Sequence, residues 1–577
     1  MTRVVVVEDI VAKPDDAELA KQKKARADAS DRVVGSTAAK RLIVAGPGTG
    51  KSFTFRRAFS QVGDSGLGLT FIRALERELR AALPAGVQVN TFHGYCVHLF
   101  RLFHGSDPFM YPPLFDLIAT DLTLQGRTTS WSDIDAAFFD VDDSKGLLTA
   151  AITRADYYGA VSYNDIVYRV LRSLQAEPQR IEKFPLIVVD EYQDFNRLET
   201  AFIDVLATAN QVLVAGDDDQ ALYKLKRASP DYLRTIATDG SYQRFDLPFC
   251  SRCTRVVVLA VRDVLLEAQR SGLLAKRLIK PFECYLPDKW SDSEAYPRIV
   301  VAGCSVEMRK APYMSRYVVQ QIAAISAEDV KESREKAYPT VLIIAPRPFL
   351  QSTHELIKET YPQAELRMST QLEVDALEGY RRLLVDSRSR LGWRILTHCF
   401  VVTDFEEVMR RVLVDGAELA DVLPDPFRRE HTHIASVLRR LIERETLNTT
   451  EEKQLEQKLS RPIDRIRVQV APEAEEPAVV VPQDEPTIIC TTLVGAKGLS
   501  AGHVFVVGMM DGHFPRDPLA ISDDEVCSFI VALSRTRKEC HLVWCRMYAG
   551  VAKSPSVFLR WIRQPIEFRR INKSSWS

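Results

Sequence analysis

Short runs of aliphatic residues, each ending at small or acidic residues, recur along the chain. The clearest are "RLIVAG" at 41, "LIVVD" at 186, "QVLVAGD" at 211, "TVLIIAP" at 340 and "HVFVVGMM" at 503. Such short runs, rich in Val and Ile, are typical of strands covered on both faces. After the second run, Leu198, Phe202, Val205 and Leu206 recur at helical spacing and predict a helix that packs on the sheet. The pattern predicts an α/β fold with parallel sheets flanked by helices.

The predicted strands form two groups, which indicates two α/β lobes with helical insertions. A chain of 577 residues is also too long for one core. The first insertion has helical periodicity; the second is helical and highly charged, and a Pro- and Glu-rich linker, "VAPEAEEPAVVVPQDEPT", follows it. We expect a first lobe at 1–94 and 181–250 with an insert at 95–180, and a second lobe at 251–400 and 486–577 with an insert at 401–485.

Composition is that of an ordinary globular protein, with 46% hydrophobic and 27% charged residues. The 76 basic residues nearly cancel the 77 acidic ones, so a polyanion would have to be held by a local basic groove. The start "MTRVVVVEDI" lacks the features of a signal peptide and no stretch is apolar enough to span a membrane, so we expect a cytoplasmic protein with no membrane partner. Ten scattered cysteines favour reduced thiols, and "CSRC" at 250 has no second pair that would suggest a zinc site.

The segment "AGPGTGKS" fits the [AG]-x4-G-K-[ST] phosphate loop and lies between a predicted strand and a predicted helix. Its backbone N–H groups would surround a phosphate, the helix would add its positive N-terminal end, and Lys51 would neutralise the outer phosphates. Ser52 would ligate Mg²⁺. The candidate nucleotide-binding residues are Ala45, Gly46, Pro47, Gly48, Thr49, Gly50, Lys51 and Ser52.

The run "IVVDEYQD" at 187 places two carboxylates at the end of a buried strand. Asp190 is a candidate magnesium ligand, directly or through water, and Glu191 a candidate base for the attacking water. With the phosphate loop, these residues predict hydrolysis of a nucleoside triphosphate.

At this point the chain resembles a superfamily 1 helicase of the UvrD/Rep type. The resemblance is carried in order by "AGPGTGKS", "LTFIRALERELR", "NTFHGYCVHLFR", "VVDEYQD", "VAGDDDQALYKLKRA", "LPFCSRCT", "TTLVGAKGLSAGHVFVVGMMDGHFP" and "VALSRTRK". It implies two RecA-like lobes, 1A and 2A, each with an inserted subdomain, 1B and 2B. It also implies ATP between the lobes and 3′ to 5′ movement on single-stranded DNA that lies across them.

The resemblance also implies roles for individual residues. Gln220 resembles the glutamine that senses the terminal phosphate, Gln193 a residue that links hydrolysis to the strand, and Arg252 and Arg535 the arginines that the second lobe offers to the phosphoryl group. Gly498 would lie at the nucleotide. The candidate DNA contacts are Phe71, Arg73, Thr91, Phe92, His93, Tyr223, Lys226 and Thr492.

The chain departs from the family pattern on the nucleoside side. It lacks the upstream glutamine that reads adenine; Ser251 stands where the family has a base-stacking tyrosine, and Ser500 where it has a ribose-binding glutamate. We hypothesise that hydrolysis persists with relaxed base selectivity, or that other residues read the base.

Further departures concern the DNA path, where Leu225 and Val494 replace the family's aromatic and histidine. Base stacking on an aromatic ring contributes about 1–3 kcal/mol, so these changes should weaken the grip on single strands. We therefore expect DNA-stimulated ATP hydrolysis more than robust unwinding.

The resemblance leaves two functions open. The first is an ATP-dependent DNA helicase or translocase in repair or antiphage defence, acting on single-stranded or tailed duplex DNA. The second is a nucleotide-sensing subunit that regulates a partner nuclease with little unwinding of its own. The compact size is similar to that of the UvrD-like subunit of Gabija-type antiphage systems, which works beside an OLD-family nuclease. No nuclease signature is visible in the chain, so a hetero-oligomer with a nuclease is the partner that this resemblance implies.

Overall fold

A computed structural model describes residues 13–70, 73–222, 227–304, 313–368, 373–471 and 484–571, without the side chains of residues 73 and 74. The description that follows concerns these residues. No helix among them is both long and apolar enough to cross a membrane. All ten cysteines are free thiols.

The first lobe is built on a six-stranded sheet in the order β3-β2-β4-β5-β1-β6, and every strand pair is parallel. Its strands are β1 (Lys40–Val44), β2 (Gly66–Thr70), β3 (Val87–Thr91), β4 (Ile187–Val189), β5 (Val212–Gly216) and β6 (Gln243–Asp246). Its helices are α1 (Asp16–Val34), α2 (Lys51–Gln61), α3 (Arg73–Ala82), α4 (Phe92–His104), α8 (Tyr163–Ala176), α9 (Arg197–Leu206) and α10 (Pro230–Thr238).

Side chains of this sheet alternate between two apolar layers. Leu42 and Val44 of β1 pack with α4, α8 and α9, whereas Ile43 packs on the opposite face with α1 and α2. This alternation follows from the pleat of a strand whose two faces are both covered. The lobe therefore has helices on both sides of a parallel sheet, as the aliphatic runs predict.

The second lobe contains a seven-stranded sheet in the order β11-β12-β10-β13-β14-β9-β17, again with parallel pairs. A short parallel pair, β7 (Phe249–Cys250) with β8 (Glu283–Cys284), precedes it in the chain. The strands of the sheet are β9 (Ile299–Cys304), β10 (Val341–Ile344), β11 (Glu365–Arg367), β12 (Ile488–Thr491), β13 (Ala501–Val507), β14 (Thr536–Cys545) and β17 (Ile566–Ile571), and β15 (Met547–Tyr548) and β16 (Val551–Ala552) form a separate hairpin.

Helices cover both faces of the second sheet in the same way. They are α11 (Arg255–Arg270), α12 (Leu286–Ala295), α13 (Tyr313–Ala323), α14 (Ala327–Glu335), α15 (Arg347–Thr360), α23 (Asp523–Ser534) and α24 (Val557–Trp561). One apolar layer contains α11 and α23, and the other contains α13 and α15. The predicted fold class, two RecA-like lobes of parallel sheets flanked by helices, is confirmed.

Each lobe carries a helical insert with its own apolar core. The first insert contains α5 (Leu114–Leu124), α6 (Trp131–Asp140) and α7 (Leu147–Tyr158). The second contains α16 (Ala376–Val385), α17 (Arg390–Cys399), α18 (Phe405–Leu413), α19 (Leu419–Val422), α20 (Asp425–Ile442), α21 (Thr449–Leu459) and α22 (Ile463–Val470).

The packing of these helices bears on the insert boundaries expected at 95, 180 and 401. Helices α4 and α8 flank the first insert in sequence, but their apolar faces pack into the core of the first lobe. Helices α16 and α17 precede residue 401, but Tyr380 and Trp393 lie in the core of the second insert. By core packing, the first insert is thus shorter than expected and the second begins earlier.

The two inserts share a buried ion pair. Arg394 of α17 donates from Nε to Asp121 Oδ1 of α5 at 2.9 Å, and both side chains are 0% exposed. The hydroxyl of Tyr158 donates to the other oxygen of Asp121. Leu391 and Ile395 of α17 pack into the core of the first insert around this pair. The inserts therefore form one packed body that bridges the two lobes.

Loss of one buried charge should loosen this body. Removing one partner of a buried ion pair costs about 3–5 kcal/mol, whereas an exposed pair contributes about 1 kcal/mol or less. We expect Arg394→Ala to accelerate amide hydrogen exchange in α5 and α17 by a factor on the order of 10² or more. The matched control is Arg388→Ala, because Arg388 and its partner Asp421 are 60% and 54% exposed. Equal exchange in both variants would show that the inserts are held together by other contacts.

Candidate active site between the lobes

A cavity in the cleft between the lobes is lined by most of the predicted phosphate-side residues. The first lobe contributes the phosphate loop, the carboxylates of Asp190 and Glu191 and one face of α3, and the second lobe contributes arginines. The lining residues are Pro47, Gly48, Thr49, Gly50, Lys51, Ser52, Phe53, Leu75, Glu78, Leu79, Asp190, Glu191 and Gln220 of the first lobe and Ser251, Arg252, Gly498, Arg535 and Arg537 of the second. Residues far apart in sequence thus converge on one volume.

The phosphate loop connects β1 to α2 and ends at Gly50, whose φ of 95° is left-handed. No side chain caps the N-terminus of α2, so its first N–H groups have no competing side-chain acceptor for an anion. Thr49 holds the turn by donating from Oγ1 to the carbonyl of Gly46 at 2.8 Å. Ala45 and Gly46 lie behind the loop and do not line the cavity: Ala45 donates its N–H to the carbonyl of Gly216, and Gly46 packs against Phe282.

Gly48 allows the second lobe to approach the loop. Its φ is +67°, and a Cβ at this position would lie 2.4 Å from Cβ of Arg252. The N–H of Ser251 donates to the carbonyl of Gly48 at 3.0 Å. A side chain on residue 48 would therefore push Arg252 away from the cavity.

The charges around Lys51 are strongly coupled. Burial would lower the pKa of Lys51, but the carboxylates of Glu191, Asp190 and Asp217 outweigh burial and raise it. Burial, followed by the charge of Glu191, raises the pKa of Asp190 to about 7. Burial opposes ionisation of Glu191 as well, but Lys51 and Lys497 lower its pKa to about 2. One carboxylate of the pair therefore stays ionised while the other readily holds a proton.

Glu191 is held in place by Gln193, the residue that the resemblance expects to link hydrolysis to the DNA strand. Its backbone is left-handed, with φ 56°, at the turn after β4. Gln193 donates from Nε2 to Glu191 Oε2 at 2.5 Å, and its Oε1 accepts the N–H of Asp217 at 2.9 Å. The amide of Gln193 thus ties the carboxylate to the end of β5.

Gln220 and Arg535 join the two sides of the cleft. Arg535 donates from Nη2 to Gln220 Oε1 at 2.6 Å, and Gln220 donates from Nε2 to Asp217 Oδ2 at 2.5 Å. Burial, followed by the nearby charge of Arg252, lowers the pKa of Arg535 to about 10. An anion that enters the cavity would therefore stabilise the charged form of Arg535.

The charged residues at the site that were not predicted from the sequence include Glu78, which lines the cavity, and Lys497, Asp194 and Arg537. Lys497 donates from Nζ to Asp194 Oδ2 at 2.5 Å and to the carbonyl of Gln220 at 2.7 Å, which is a second link across the cleft. Arg537 lines the cavity and donates from Nε to Ser500 Oγ at 3.1 Å. The sequence carries a local signal for two of them, because Arg537 lies in the segment "VALSRTRK" with Arg535, and Asp194 closes the run "IVVDEYQD". It carries none for Lys497.

On the side of the cavity where the base of a nucleotide would lie, the residues differ from those of the family pattern. Phe53, which follows the phosphate loop, lines the cavity and is 54% exposed. Ser251 accepts a hydrogen bond from Arg26 at 3.3 Å, and the guanidinium of Arg26 lies 4.2 Å from the ring centre of Tyr285. An exposed aromatic ring and a cation thus stand near the position of the missing tyrosine.

The donor set fits a magnesium ion. The Ser52 hydroxyl and the Asp190 carboxylate line the same cavity. At such sites Mg²⁺ is usually bound by only a few protein oxygens, and phosphate oxygens and water complete its coordination. Ser52 and Asp190 would be its protein ligands.

The predicted DNA contacts divide into three groups. Phe71, Tyr223 and Lys226 lie outside the described residues, as does the side chain of Arg73. Thr91, His93 and Thr492 are partly exposed; Thr91 caps α4 by accepting the N–H of Gly94 at 3.0 Å.

The prediction for Phe92 is wrong. Its side chain is 0% exposed, and its ring lies 5.5 Å from that of Phe195 and 5.1 Å from that of Phe202. The helical periodicity of α4 turns this residue into the core, where it cannot stack on a base.

Comparison with known proteins agrees with this geometry. Residues 139–240, which include Asp190, Glu191 and Gln220, match the family "UvrD/REP helicase N-terminal domain". The chain is 25% identical over 355 residues to "ATP-dependent DNA helicase UvrD1" of Mycobacterium tuberculosis, which covers 49% of this chain and 42% of the relative. It is 24% identical over 168 residues to "DNA helicase II" of Haemophilus influenzae, which covers 28% and 21%.

A third relative is "RecBCD enzyme subunit RecB" of Mycolicibacterium smegmatis, 31% identical over 121 residues, 20% of this chain and 11% of the relative. The chain spans less than half the length of each of these relatives. The matches show that parts of this chain are similar to UvrD-like DNA helicases, and the two-lobed fold agrees with that similarity.

The raised pKa of Asp190 predicts how stability depends on pH. Between about pH 4 and pH 7 the folded protein keeps a proton on Asp190 that the unfolded chain releases, so stability falls as the pH rises through this window. Asp190→Asn removes this cost. We expect this variant, without nucleotide or metal, to melt above wild type at about pH 8 and to show a smaller advantage at about pH 5. The control is the exposed Asp28→Asn, and an advantage that does not grow with pH would contradict the shift.

Proposed function

We propose that this protein is an ATP-dependent DNA helicase or translocase that couples Mg-NTP hydrolysis to 3′ to 5′ movement on single-stranded DNA. The observation that carries the proposal is the convergence, on one cavity, of Lys51, Asp190 and Glu191 from the first lobe with Arg252 and Arg535 from the second. Such a set of charges matches a triphosphate with its metal better than any uncharged ligand.

The residues divide the chemistry between them. Lys51 and the N–H groups at the start of α2 hold the phosphates, while the ionised Glu191 accepts a hydrogen bond from the attacking water. Mg²⁺, when bound by Ser52 and Asp190, would neutralise charge on the phosphate oxygens. Arg252 and Arg535 stabilise the negative charge that develops on the transferred group, an effect on the order of 10³ or more in rate for such arginines.

Delivery of the arginines by the second lobe couples hydrolysis to lobe closure. Gln220 contacts Arg535 directly across the cleft, so the geometry of the groups at the terminal phosphate depends on how the two lobes are arranged. A DNA strand held by both lobes would advance with each cycle. The relatives named "DNA helicase II" and "ATP-dependent DNA helicase UvrD1" support DNA as the substrate and ATP as the nucleotide.

For the biological role, we propose DNA repair or antiphage defence in the cytoplasm, on single-stranded or tailed duplex DNA. A partner nuclease of the OLD family, as in Gabija-type systems, would complete the activity. This part of the proposal rests on the resemblance to UvrD-like helicases.

The second candidate function is a nucleotide-sensing subunit that switches a nuclease with little unwinding of its own. The observation that favours it is the burial of Phe92, which leaves fewer aromatic rings for base stacking than the family pattern suggests. In this case lobe closure itself, and not movement, would be the signal.

Lys51→Ala tests the hydrolytic site. Removal of the ammonium leaves the outer phosphates uncompensated, and we expect DNA-stimulated ATP turnover to fall by a factor on the order of 10² or more. The exposed Lys24→Ala is the control and should hydrolyse ATP at the wild-type rate. Undiminished turnover after Lys51→Ala would overturn the proposal.

A strand-displacement assay separates the two functions. With a 3′-tailed duplex, a motor releases the displaced strand in proportion to the ATP consumed, and Lys51→Ala releases none. A duplex with only a 5′ tail is the control for direction. ATP turnover without displacement on either substrate would favour the regulatory subunit.

Comparison of nucleotides tests the relaxed base selectivity. Because stacking on Phe53 would not distinguish the bases, we expect kcat/KM for ATP, GTP, CTP and UTP to agree within about tenfold. Phe53→Ala should lower all four values by a similar factor, whereas Phe53→Tyr should retain them. A preference for ATP of about 10² or more would exclude the hypothesis.

A further inference from the structure

Three consecutive aspartates, Asp217, Asp218 and Asp219, converge at the end of β5. In the described part of the chain they are the one carboxylate group with a metal-like arrangement, but a lysine lies among them. Nζ of Lys280 is 2.8 Å from Asp217 Oδ1, 2.8 Å from Asp218 Oδ1 and 2.6 Å from Asp219 Oδ2, and its side chain is 3% exposed. The ammonium takes the place that a cation would have.

Two arginines complete the neutralisation. Arg277 donates from Nε and Nη2 to Asp219 at 2.9 and 2.6 Å, and Arg234 donates to Asp218 at 3.1 Å. Burial would lower the pKa of Lys280, but the three carboxylates outweigh it and raise the pKa, so the ammonium remains charged. Three buried carboxylates thus face three cations.

The cluster crosses the lobe interface. Asp217–Asp219 belong to the first lobe, whereas Arg277 and Lys280 lie between α11 and β8, in the segment that returns from the second lobe. Helix α23 of the second lobe lies over the same turn, with Cys527 Sγ 4.0 Å from the carbonyl of Asp218. Separating buried charges without replacing their partners is costly, so this contact should persist while the cleft opens elsewhere.

Asp217 connects the cluster to the active site. Its Oδ1 binds Lys280, while its Oδ2 accepts the hydrogen bond from Gln220 Nε2 at 2.5 Å. The other end of the Gln220 amide accepts from Arg535. Lys280, Asp217, Gln220 and Arg535 therefore form one continuous chain of contacts from the interface to the cavity.

We infer that Lys280 is a positioning residue for hydrolysis, which orients Gln220 and Arg535 through Asp217. The inference rests on the proposed function. Without the ammonium, Asp217 would lose its strongest partner and turn toward other donors, and the amide of Gln220 would lose its fixed orientation. Because Lys280 lines no part of the cavity, ground-state binding of the nucleotide should change little.

Arg277 provides a matched control within the same cluster. Lys280→Gln and Arg277→Gln each remove one positive charge from the buried interface, but Arg277 bonds to Asp219 and not to Asp217. A merely structural role would affect both variants alike. A positioning role of Lys280 lowers the reaction rate in Lys280→Gln but not in Arg277→Gln.

Steady-state ATP hydrolysis with single-stranded DNA tests this difference. We expect Lys280→Gln to lower kcat by about tenfold or more with KM within about threefold of wild type, and Arg277→Gln to keep kcat within about threefold. Lys280→Arg, which keeps the charge, should recover part of the loss. Equal losses of kcat in Lys280→Gln and Arg277→Gln, or no loss in either, would overturn the inference.

Folding is checked by circular dichroism, and a second variant covers the case in which Lys280→Gln does not fold. Asp217→Asn keeps the shape of the cluster but removes the charge between Lys280 and Gln220. It should lower kcat in the same way, and an unchanged kcat in this variant would contradict the inference. Inactivity of the wild type itself would refute the proposed function instead, so the two failures are distinguishable.

Discussion

Compensation of buried charge across the lobe interface is the constraint on which the rest of the structure depends. Arg535 would carry an uncompensated buried charge in an isolated second lobe, and Lys280 and the three aspartates that surround it would lose one another if the lobes separated. Such charges are tolerated only when partners lie within hydrogen-bonding distance. Because these partners come from the opposite lobe, the arrangement of the two lobes and the charges of the cavity depend on each other.

The geometry of the parallel sheets brings these charged groups together. In a parallel α/β sheet the carboxyl ends of the strands meet at one edge, and here β1, β4 and β5 end in the phosphate loop, the Asp190–Glu191 pair and the aspartate cluster. The left-handed turn at Glu191 and the missing side chain at Gly48 allow groups from both lobes to come close at that edge. The inserts, joined by Asp121 and Arg394, add a second connection between the lobes at a distance from the cavity.

The fold class and the phosphate side of the site were predictable because their signals are local. Aliphatic runs mark β1, β4, β5, β10 and β13, and the loop residues from Pro47 to Ser52 act within one short segment. The prediction for Phe92 was wrong because the motif does not show which side of the helix packs into the core. Lys280 and Lys497 could not be found, since a lone lysine becomes informative only when folding brings it to a distant carboxylate. The insert boundaries depend on which core a helix packs into, which periodicity alone does not specify.

The most direct test of the account is a structure with Mg²⁺ and a transition-state analogue of ATP hydrolysis. We expect guanidinium nitrogens of both Arg252 and Arg535 within about 3.5 Å of the terminal-phosphate mimic, with Lys51 on the same group and the Gln220–Asp217–Lys280 contacts retained. Either arginine far from that group in a closed, fully loaded protein would contradict it.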